Sequence, residues 1–292
     1  MRALELHEPR SLEEATALLA RHGDEAKIIA GGTALVIMLK NRLIAPGHLV
    51  SLGRVDGLSY IREDDTMGLR IGALTTIREV ERSALVQKRC PTLAHTCARV
   101  ANVRVRHAAT VGGNLSEADY ASDPPCVLVA AGARVRAVGP RGAREISLDG
   151  FFRGFYETAL APDEVLAELI VPPQPASMRS TYMKFVTRSS EDRPCLGVAA
   201  FVDVDADGVC RGLRVAVGAV ADTPQEVAAA ESLALGERLS GELIREVAEG
   251  YAAAIDPLSD LRGSAWYRTQ MIRVFVRDAI QEALGSIPKQ AH

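Results

Sequence analysis

The sequence predicts an α+β protein: two small α/β lobes, then a C-terminal domain of three antiparallel strands and helices. Three observations carry this. Strand and helix patterns alternate as β-α-β through the first 55 residues. Two glycine pairs about 80 residues apart, Gly31-Gly32 and Gly112-Gly113, each interrupt an apolar stretch. After Pro172-Pro173-Gln174-Pro175, a stiff linker, the periodicity becomes that of an antiparallel sheet. A first domain is therefore expected at 1–175, with lobes at about 1–55 and 56–175, and a second at 178–286.

Taken in order, Ser11 reads as an N-cap with Glu14 at the capping-box position. Leu12, Ala15, Leu18 and Leu19 share one face of a helix ending near Gly23. A strand at Lys27 to Ala30 leads into the first glycine pair, and Thr33 is placed to cap a helix from Ala34 to about Lys40. Leu49 to Leu52 is the next strand. Ser59 to Arg62 and Gly68 to Gly72 form a hairpin, Thr75-Thr76 opens a helix with capping chemistry, and Leu93, Ala94, Cys97, Ala98 and Ala101 recur at helical spacing. Pro124-Pro125 opens Cys126 to Ala131, and strands are expected at Ala133 to Gly139, Ile146 to Phe152 and Glu164 to Val171. The C-terminal strands are Thr181 to Thr187, Gly197 to Val204 and Gly212 to Val220, the last two joined by a turn at Asp205 to Gly208. Helices follow at about Gln225 to Leu235, Gly241 to Ile255 and Ser264 to Leu284, and the tail after Pro288 is expected to be disordered.

The glycine pairs carry the chemistry. Adjacent glycines let the backbone turn with positive φ and aim several N–H groups at one point, which is how a loop holds phosphate without a cation. Taken alone, such a pair is more often an ordinary tight turn, and Asn114 could simply occupy a left-handed position. Two such stretches, with Asp119 and Asp123 just beyond the second, suggest a pair of cradles holding one diphosphate. Neither G-x-G-x-x-G nor G-x-x-x-x-G-K-[ST] is present, which excludes a Rossmann site and an NTPase.

Composition narrows the function further. A net charge of −3 with interspersed signs gives no basic field for nucleic acid and no polybasic membrane anchor. Met1 to Glu25 has no apolar signal region and no uninterrupted span of 18 apolar residues occurs, so a cytoplasmic protein without membrane insertion is expected. The five cysteines show no C-x-x-C pair and read as buried free thiols, and the six histidines never fall at metal-ligand spacing. Redox chemistry here would need an organic cofactor.

Four motifs stand in one order: Ala30-Gly31-Gly32-Thr33, Ile71-Gly72-Ala73-Leu74-Thr75-Thr76, Thr110-Val111-Gly112-Gly113-Asn114-Leu115 and Tyr182-Met183-Lys184-Phe185. In these the chain resembles, over nearly its whole length, the FAD-binding medium subunit of the xanthine dehydrogenase and carbon monoxide dehydrogenase family of molybdenum hydroxylases. The resemblance implies a two-lobed FAD-binding fold of the vanillyl-alcohol-oxidase (PCMH) type. It also implies a complex, as a dimer of heterotrimers, with an iron–sulfur small subunit carrying 2Fe–2S clusters and a large subunit carrying the molybdopterin cofactor. By position, Ile28, Ile29, Ala30, Gly31, Gly32, Thr33, Ala34 and Leu35, with Thr110, Val111, Gly112, Gly113 and Asn114, would grip the diphosphate and ribityl chain of FAD. Asp123 would hold a polar end of FAD, and Val100, Leu166 and Lys184 would lie along the adenine or flavin ring. Ala34 stands where many relatives have a polar residue, and Asp119-Tyr120 where they have Asp-Pro. The cysteine-rich 4Fe–4S insert of the hydroxybenzoyl-CoA reductase branch has no counterpart here, which points to the hydroxylase branch.

Three functions compete. An electron-transfer flavoprotein subunit would pass electrons from partner clusters through FAD to oxygen, NAD, a quinone or another acceptor. A self-contained flavin reductase or oxidase would need its own acid–base pair, and no His, Tyr or Ser constellation in the sequence supplies one. A scaffold that has lost its cofactor would have little reason to keep both glycine stretches with Thr33, Asn114 and Asp123. The first reading leads. FAD is expected to be held without a covalent bond, since no histidine occupies an evident attachment site, although His107 is close enough in sequence to leave attachment open.

Overall fold

The computed structural model describes residues 4–285; the tail expected to be disordered lies outside them. In the first lobe, strands β1 (Glu5–His7), β2 (Ala26–Ile29) and β3 (His48–Ser51) form a parallel sheet in the order β1-β3-β2. Helix α1 (Leu12–His22) crosses from β1 to β2 and buries Ala15 and Leu19 against Val50 and Leu52. Its cap forms as expected, the Ser11 hydroxyl accepting from the Glu14 N–H at 3.2 Å. The reciprocal bond reaches one residue further back, to the Arg10 N–H at 2.8 Å. Helix α2 (Leu35–Lys40) follows the first glycine pair.

The second lobe is built on a five-stranded antiparallel sheet. It takes β4 (Ile61–Asp64), β5 (Gly68–Gly72), β6 (Arg134–Gly139) and β7 (Gly142–Ser147), with β8 (Phe152–Gly154) and β9 (Glu157–Thr158) as a separate ribbon and β10 (Val165–Val171) at the centre. The expected strand at Ile146 to Phe152 is interrupted: Ser147 caps a 3-10 turn at Leu148–Gly150, and the chain re-enters extended geometry only at β8. Every residue of β10 is buried. Val165 and Ala167 pack with the first lobe and Leu166 and Leu169 with the second, so one strand, whose alternation is broken by a bulge between Leu166 and Glu168, joins the two cores.

Six helices cover this sheet: α3 (Ile77–Arg82), α4 (Ala84–Arg89), α5 (Pro91–Ala98), α6 (Val103–Ala108), α7 (Val111–Glu117) and α8 (Asp123–Ala130). Thr76 and Glu79 complete a capping box on α3. Helix α8 is buried along its whole length, and its prolines sit in the first turn, where no N–H is needed. All five cysteines are free and buried. Burial pushes the Cys90 thiol up to about 11 and the Cys126 thiol up to about 12, so neither is a nucleophile at neutral pH.

The C-terminal sheet, β11 (Met178–Phe185), β12 (Leu196–Val204) and β13 (Cys210–Gly218), is antiparallel throughout. Its faces alternate. Tyr182, Ala199, Phe201 and Ala216 join the core of the second lobe around α8. Met183, Val198, Ala200, Val202, Val215 and Val217 face the helices α10 (Gly241–Ala254) and α11 (Ala265–Leu284). Between β13 and α10 lies the short α9 (Ala228–Ser232). The helix expected from Gln225 starts late because Gln225 and Val217 exchange backbone hydrogen bonds at 2.9 Å in both directions, which holds the chain extended.

Candidate functional site

A cleft of about 450 Å³ opens between the first two lobes, within the range of small-molecule sites. One wall is the chain from β2 through Gly31-Gly32 into α2; the other is the start of α7. Leu160, Val165 and Leu166 supply apolar lining from the second lobe.

The first glycine pair is built as the sequence suggests. Gly32 has φ +70, the left-handed region that favours glycine. Gly31 is required by close approach: a Cβ there would stand 1.8 Å from the Ala108 carbonyl oxygen at the end of α6. Among the described residues, no protein acceptor meets the backbone N–H groups of Gly31, Gly32, Thr33, Ala34 or Leu35; the first bond of the turn is Val36 N–H to Gly32 O at 3.0 Å. These donors line the cleft. Thr33 does not cap α2, contrary to expectation. The cap position is Ala34, already in the right-handed helical region at φ −98 and ψ −52, and no side chain bonds there.

The second glycine pair differs from its expectation. Gly112 and Gly113 take no positive φ; they are the second and third residues of α7. Thr110 caps that helix, its hydroxyl accepting from the Gly113 N–H at 3.1 Å. The remaining donors are also used: Val111 N–H bonds Thr75 O at 2.9 Å, Gly112 N–H bonds Ala73 O at 2.8 Å and Asn114 N–H bonds Thr110 O at 2.9 Å. Glycine is needed here for packing, since a Cβ at Gly112 would lie 2.6 Å from the Ala73 Cβ. This wall therefore offers shape and side chains rather than amide donors. One side chain is conspicuous: Asn114 donates to Ser122 Oγ at 2.8 Å, and its Oδ1 is buried with no partner among the described residues. A buried acceptor left unmade costs about 1–3 kcal/mol. A hydroxyl or N–H of a bound ligand would relieve that cost.

Ile28, Ile29, Ala30, Gly31, Gly32, Thr33, Ala34, Leu35, Thr110, Gly112, Gly113, Asn114 and Leu166 thus come together around one cleft. Val100, Val111, Asp123 and Lys184 do not. Val111 is buried in the core of the second lobe and Val100 packs against it. Asp123 and Lys184 face each other, not the cleft. Lys184 Nζ donates to Asp123 Oδ2 and to the Arg99 carbonyl, both at 2.9 Å, and the Tyr182 hydroxyl donates to Asp123 Oδ1 at 2.6 Å. Period two along β11 puts Tyr182 and Lys184 on one face, toward α8, and Gly197 leaves room for the Tyr182 ring. Burial raises the Asp123 carboxyl, and Lys184 and Tyr182 oppose the rise. His107 lies exposed on α6 and does not line the cleft.

The structure adds residues that the sequence did not single out. Glu117 ends α7 in the cleft, and desolvation, then the nearby Asp119, pushes its carboxyl up to about 7 against the pull of Arg193. Asp119 itself is ion-paired to Arg193 at 2.5 Å. Beside Glu117, Ala118 and Tyr156 both adopt left-handed backbone, with φ 50 and 60, and are joined by a hydrogen bond from Tyr156 N–H to Ala118 O at 3.1 Å. Backbone strain of this kind gathers at functional sites. Tyr156 lines the cleft as well, its hydroxyl raised by burial and then by Asp119.

The model of the FAD binding domain in molybdopterin dehydrogenase matches residues 2–174, and that of the CO dehydrogenase flavoprotein C-terminal domain matches residues 181–283. The carbon monoxide dehydrogenase medium chain of Hydrogenophaga pseudoflava is 34% identical over 279 residues, 96% of each chain. The 6-hydroxypseudooxynicotine dehydrogenase complex subunit alpha of Paenarthrobacter nicotinovorans is 35% identical over 274 residues, 94% of this chain and 92% of the other. Among solved structures, carbon monoxide dehydrogenase from Hydrogenophaga pseudoflava lacking the Mo-pyranopterin moiety superposes with a TM-score of 0.93 at 35% identity, covering 98% of this chain and 99% of that one.

Proposed function

This chain belongs to the family of FAD-binding flavoprotein subunits of molybdopterin dehydrogenases, and from that premise we propose that it is the electron-transfer subunit of a molybdenum hydroxylase complex. It is an oxidoreductase subunit of the carbon monoxide dehydrogenase and xanthine dehydrogenase type, with FAD as cofactor. In the proposed complex an iron–sulfur small subunit delivers electrons from 2Fe–2S clusters, a molybdopterin large subunit oxidises the organic substrate, and an external acceptor removes the electrons. A dimer of heterotrimers in the cytoplasm is the assembly proposed. No helix among the described residues is long and apolar enough to cross a membrane.

The observation that carries the reading is the run of open backbone donors from Gly31 to Leu35 on one wall of a cleft whose other wall includes Asn114, the residue with the buried, partnerless Oδ1. Those residues fit FAD. The N–H groups of Gly31 to Leu35 would hold the diphosphate, as a backbone nest holds an anion. Asn114 Oδ1 would accept from a hydroxyl or N–H, and Leu160, Val165 and Leu166 would keep water from the ring. Bound FAD supplies the exchange between one-electron and two-electron carriers. Glu117, poised at about 7, can hold or release a proton at its carboxylate in the cleft.

The test is the absorbance spectrum and acid extract of the chain purified with its partners. One FAD per chain, released into the acid supernatant, and organic-substrate oxidation only with both partners support the reading. FMN in the extract, or a yellow pellet, overturns it. Glu117 and Tyr156 favour one second reading, a self-contained flavin reductase or oxidase, because they supply the titratable groups that the sequence did not reveal. Bleaching of the flavin by an organic substrate in the single chain would select it.

A further inference from the structure

We infer that His7, His22 and His48, with Glu5, form a binding site for a divalent zinc-like transition metal ion in the first lobe. Three separate elements meet there. Period two along β1 puts Glu5 and His7 on one face, and the parallel register pairs Glu5 with His48 at the start of β3. His22 is the last residue of α1, held by the turn at Gly23, whose N–H bonds the Leu19 carbonyl and whose φ is +51. Each histidine offers a ring nitrogen, and these nitrogens all lie within 4.8 Å of one another.

The geometry is close to a ligand set. His7 Nε2 and His48 Nδ1 are 3.1 Å apart, against about 3.3 Å between two ligands on a tetrahedral zinc with bonds near 2.0 Å. Glu5 carboxylate oxygens lie 3.4 Å from His48 Nδ1 and 3.8 Å from His7 Nε2. The His22 ring lies over His48 with centroids 3.7 Å apart. The three imidazoles are half-buried, and the neutral ring is the form that ligates. Three imidazoles and a carboxylate suit zinc, copper or nickel rather than magnesium or calcium. An ion here is held by the three imidazoles, with the exposed Glu5 carboxylate at the rim. It would staple the C-terminal end of α1 to β1 and β3. The histidines are far apart in sequence and on different elements, so no spacing signal could reveal them.

The full chain, stripped with a chelator, is titrated with zinc chloride against a colorimetric chelator and, in parallel, with cobalt chloride. One zinc per chain is expected, with visible absorption bands of tetrahedral cobalt. His22→Gln and His48→Gln should each weaken zinc by about a hundredfold and Glu5→Gln by about tenfold. Zinc should raise the melting temperature of the parent and not of the histidine variants. Flavin content in the same samples should not change with zinc, which keeps this test apart from that of the cleft. Absence of saturable zinc binding or of tetrahedral cobalt bands in the parent overturns the site, and so does equal zinc affinity in folded variants and parent.

Discussion

The loop carrying Gly31 and Gly32 leaves a run of backbone donors open to the cleft, whereas the helical turn carrying Gly112 and Gly113 has each of its donors bonded within the protein. In each pair the first glycine is required because a Cβ would collide, at Gly31 on Ala108 and at Gly112 on Ala73. Only the first pair is also a hydrogen-bonding surface. The difference teaches that two similar motifs divide the labour: one wall supplies charge complementarity to an anion, and the other brings α7 close enough to aim Asn114 and Glu117 inward. Beyond the second pair, Asp123 and Lys184 belong to the structural side of the division, since they are spent on each other.

The largest effect that could break this division is at Lys184. Lys184→Met leaves Asp123 buried with one donor fewer, and should cost about 3–5 kcal/mol in urea unfolding, with FAD still bound to the folded fraction. Loss of flavin at unchanged stability would move Lys184 back to the cofactor. Next come the glycines themselves. Gly31→Ala must displace the α6 end and the donor loop, so the flavin-to-protein ratio after gel filtration should reflect about a hundredfold weaker FAD, roughly 2.7 kcal/mol. Gly112→Ala should instead cost about 1–3 kcal/mol of stability by overpacking, with full flavin occupancy once folded. Identical phenotypes for the two substitutions would erase the distinction.

Smaller effects sharpen the second wall. Glu117 has a folded value of about 7 against an ordinary 4.5. The unfolded chain therefore releases this proton first as pH rises, and stability falls between those two values. Glu117→Gln removes that fall: it should gain of the order of 2 kcal/mol at pH 8 and nothing at pH 4. A pH-independent difference in denaturation midpoint would show that Glu117 is not desolvated. Asn114→Leu removes the partnerless acceptor, so the cofactor-free protein should gain about 1 kcal/mol while FAD binds about tenfold more weakly. Calorimetry of both forms checks the opposite signs.

Much of this was legible in the sequence because it is local. The Thr76–Glu79 capping box, the hairpin ending at Gly72 and the alternation of the C-terminal strands are written within a few residues. The donor loop was legible too, once the glycine pair after a strand was read together with the second pair and not alone. Gly112-Gly113 misled because glycine permits positive φ without requiring it; Thr110, three residues before Gly113, was an equally good cap and prevailed. Thr33 failed as a cap because the chain is already helical at Ala34. The Asp123–Lys184 pair joins residues 61 positions apart, and the Glu117 carboxyl feels Arg193 from another segment; no short pattern encodes either.

The C-terminal sheet has one face in the core of the second lobe and the other under α10 and α11, and Lys184 ties it to α8 and to the Arg99 carbonyl. The proline-rich stretch at 172–175 is therefore a covalent joint between parts that are not mechanically separable. A single proteolytic nick there should leave two fragments that travel together on a sizing column and come apart only in denaturant. Expressed alone, the piece after the joint would expose Tyr182, Phe201 and a severed ion pair to water, so dissection of this chain for binding studies should cut elsewhere or not at all.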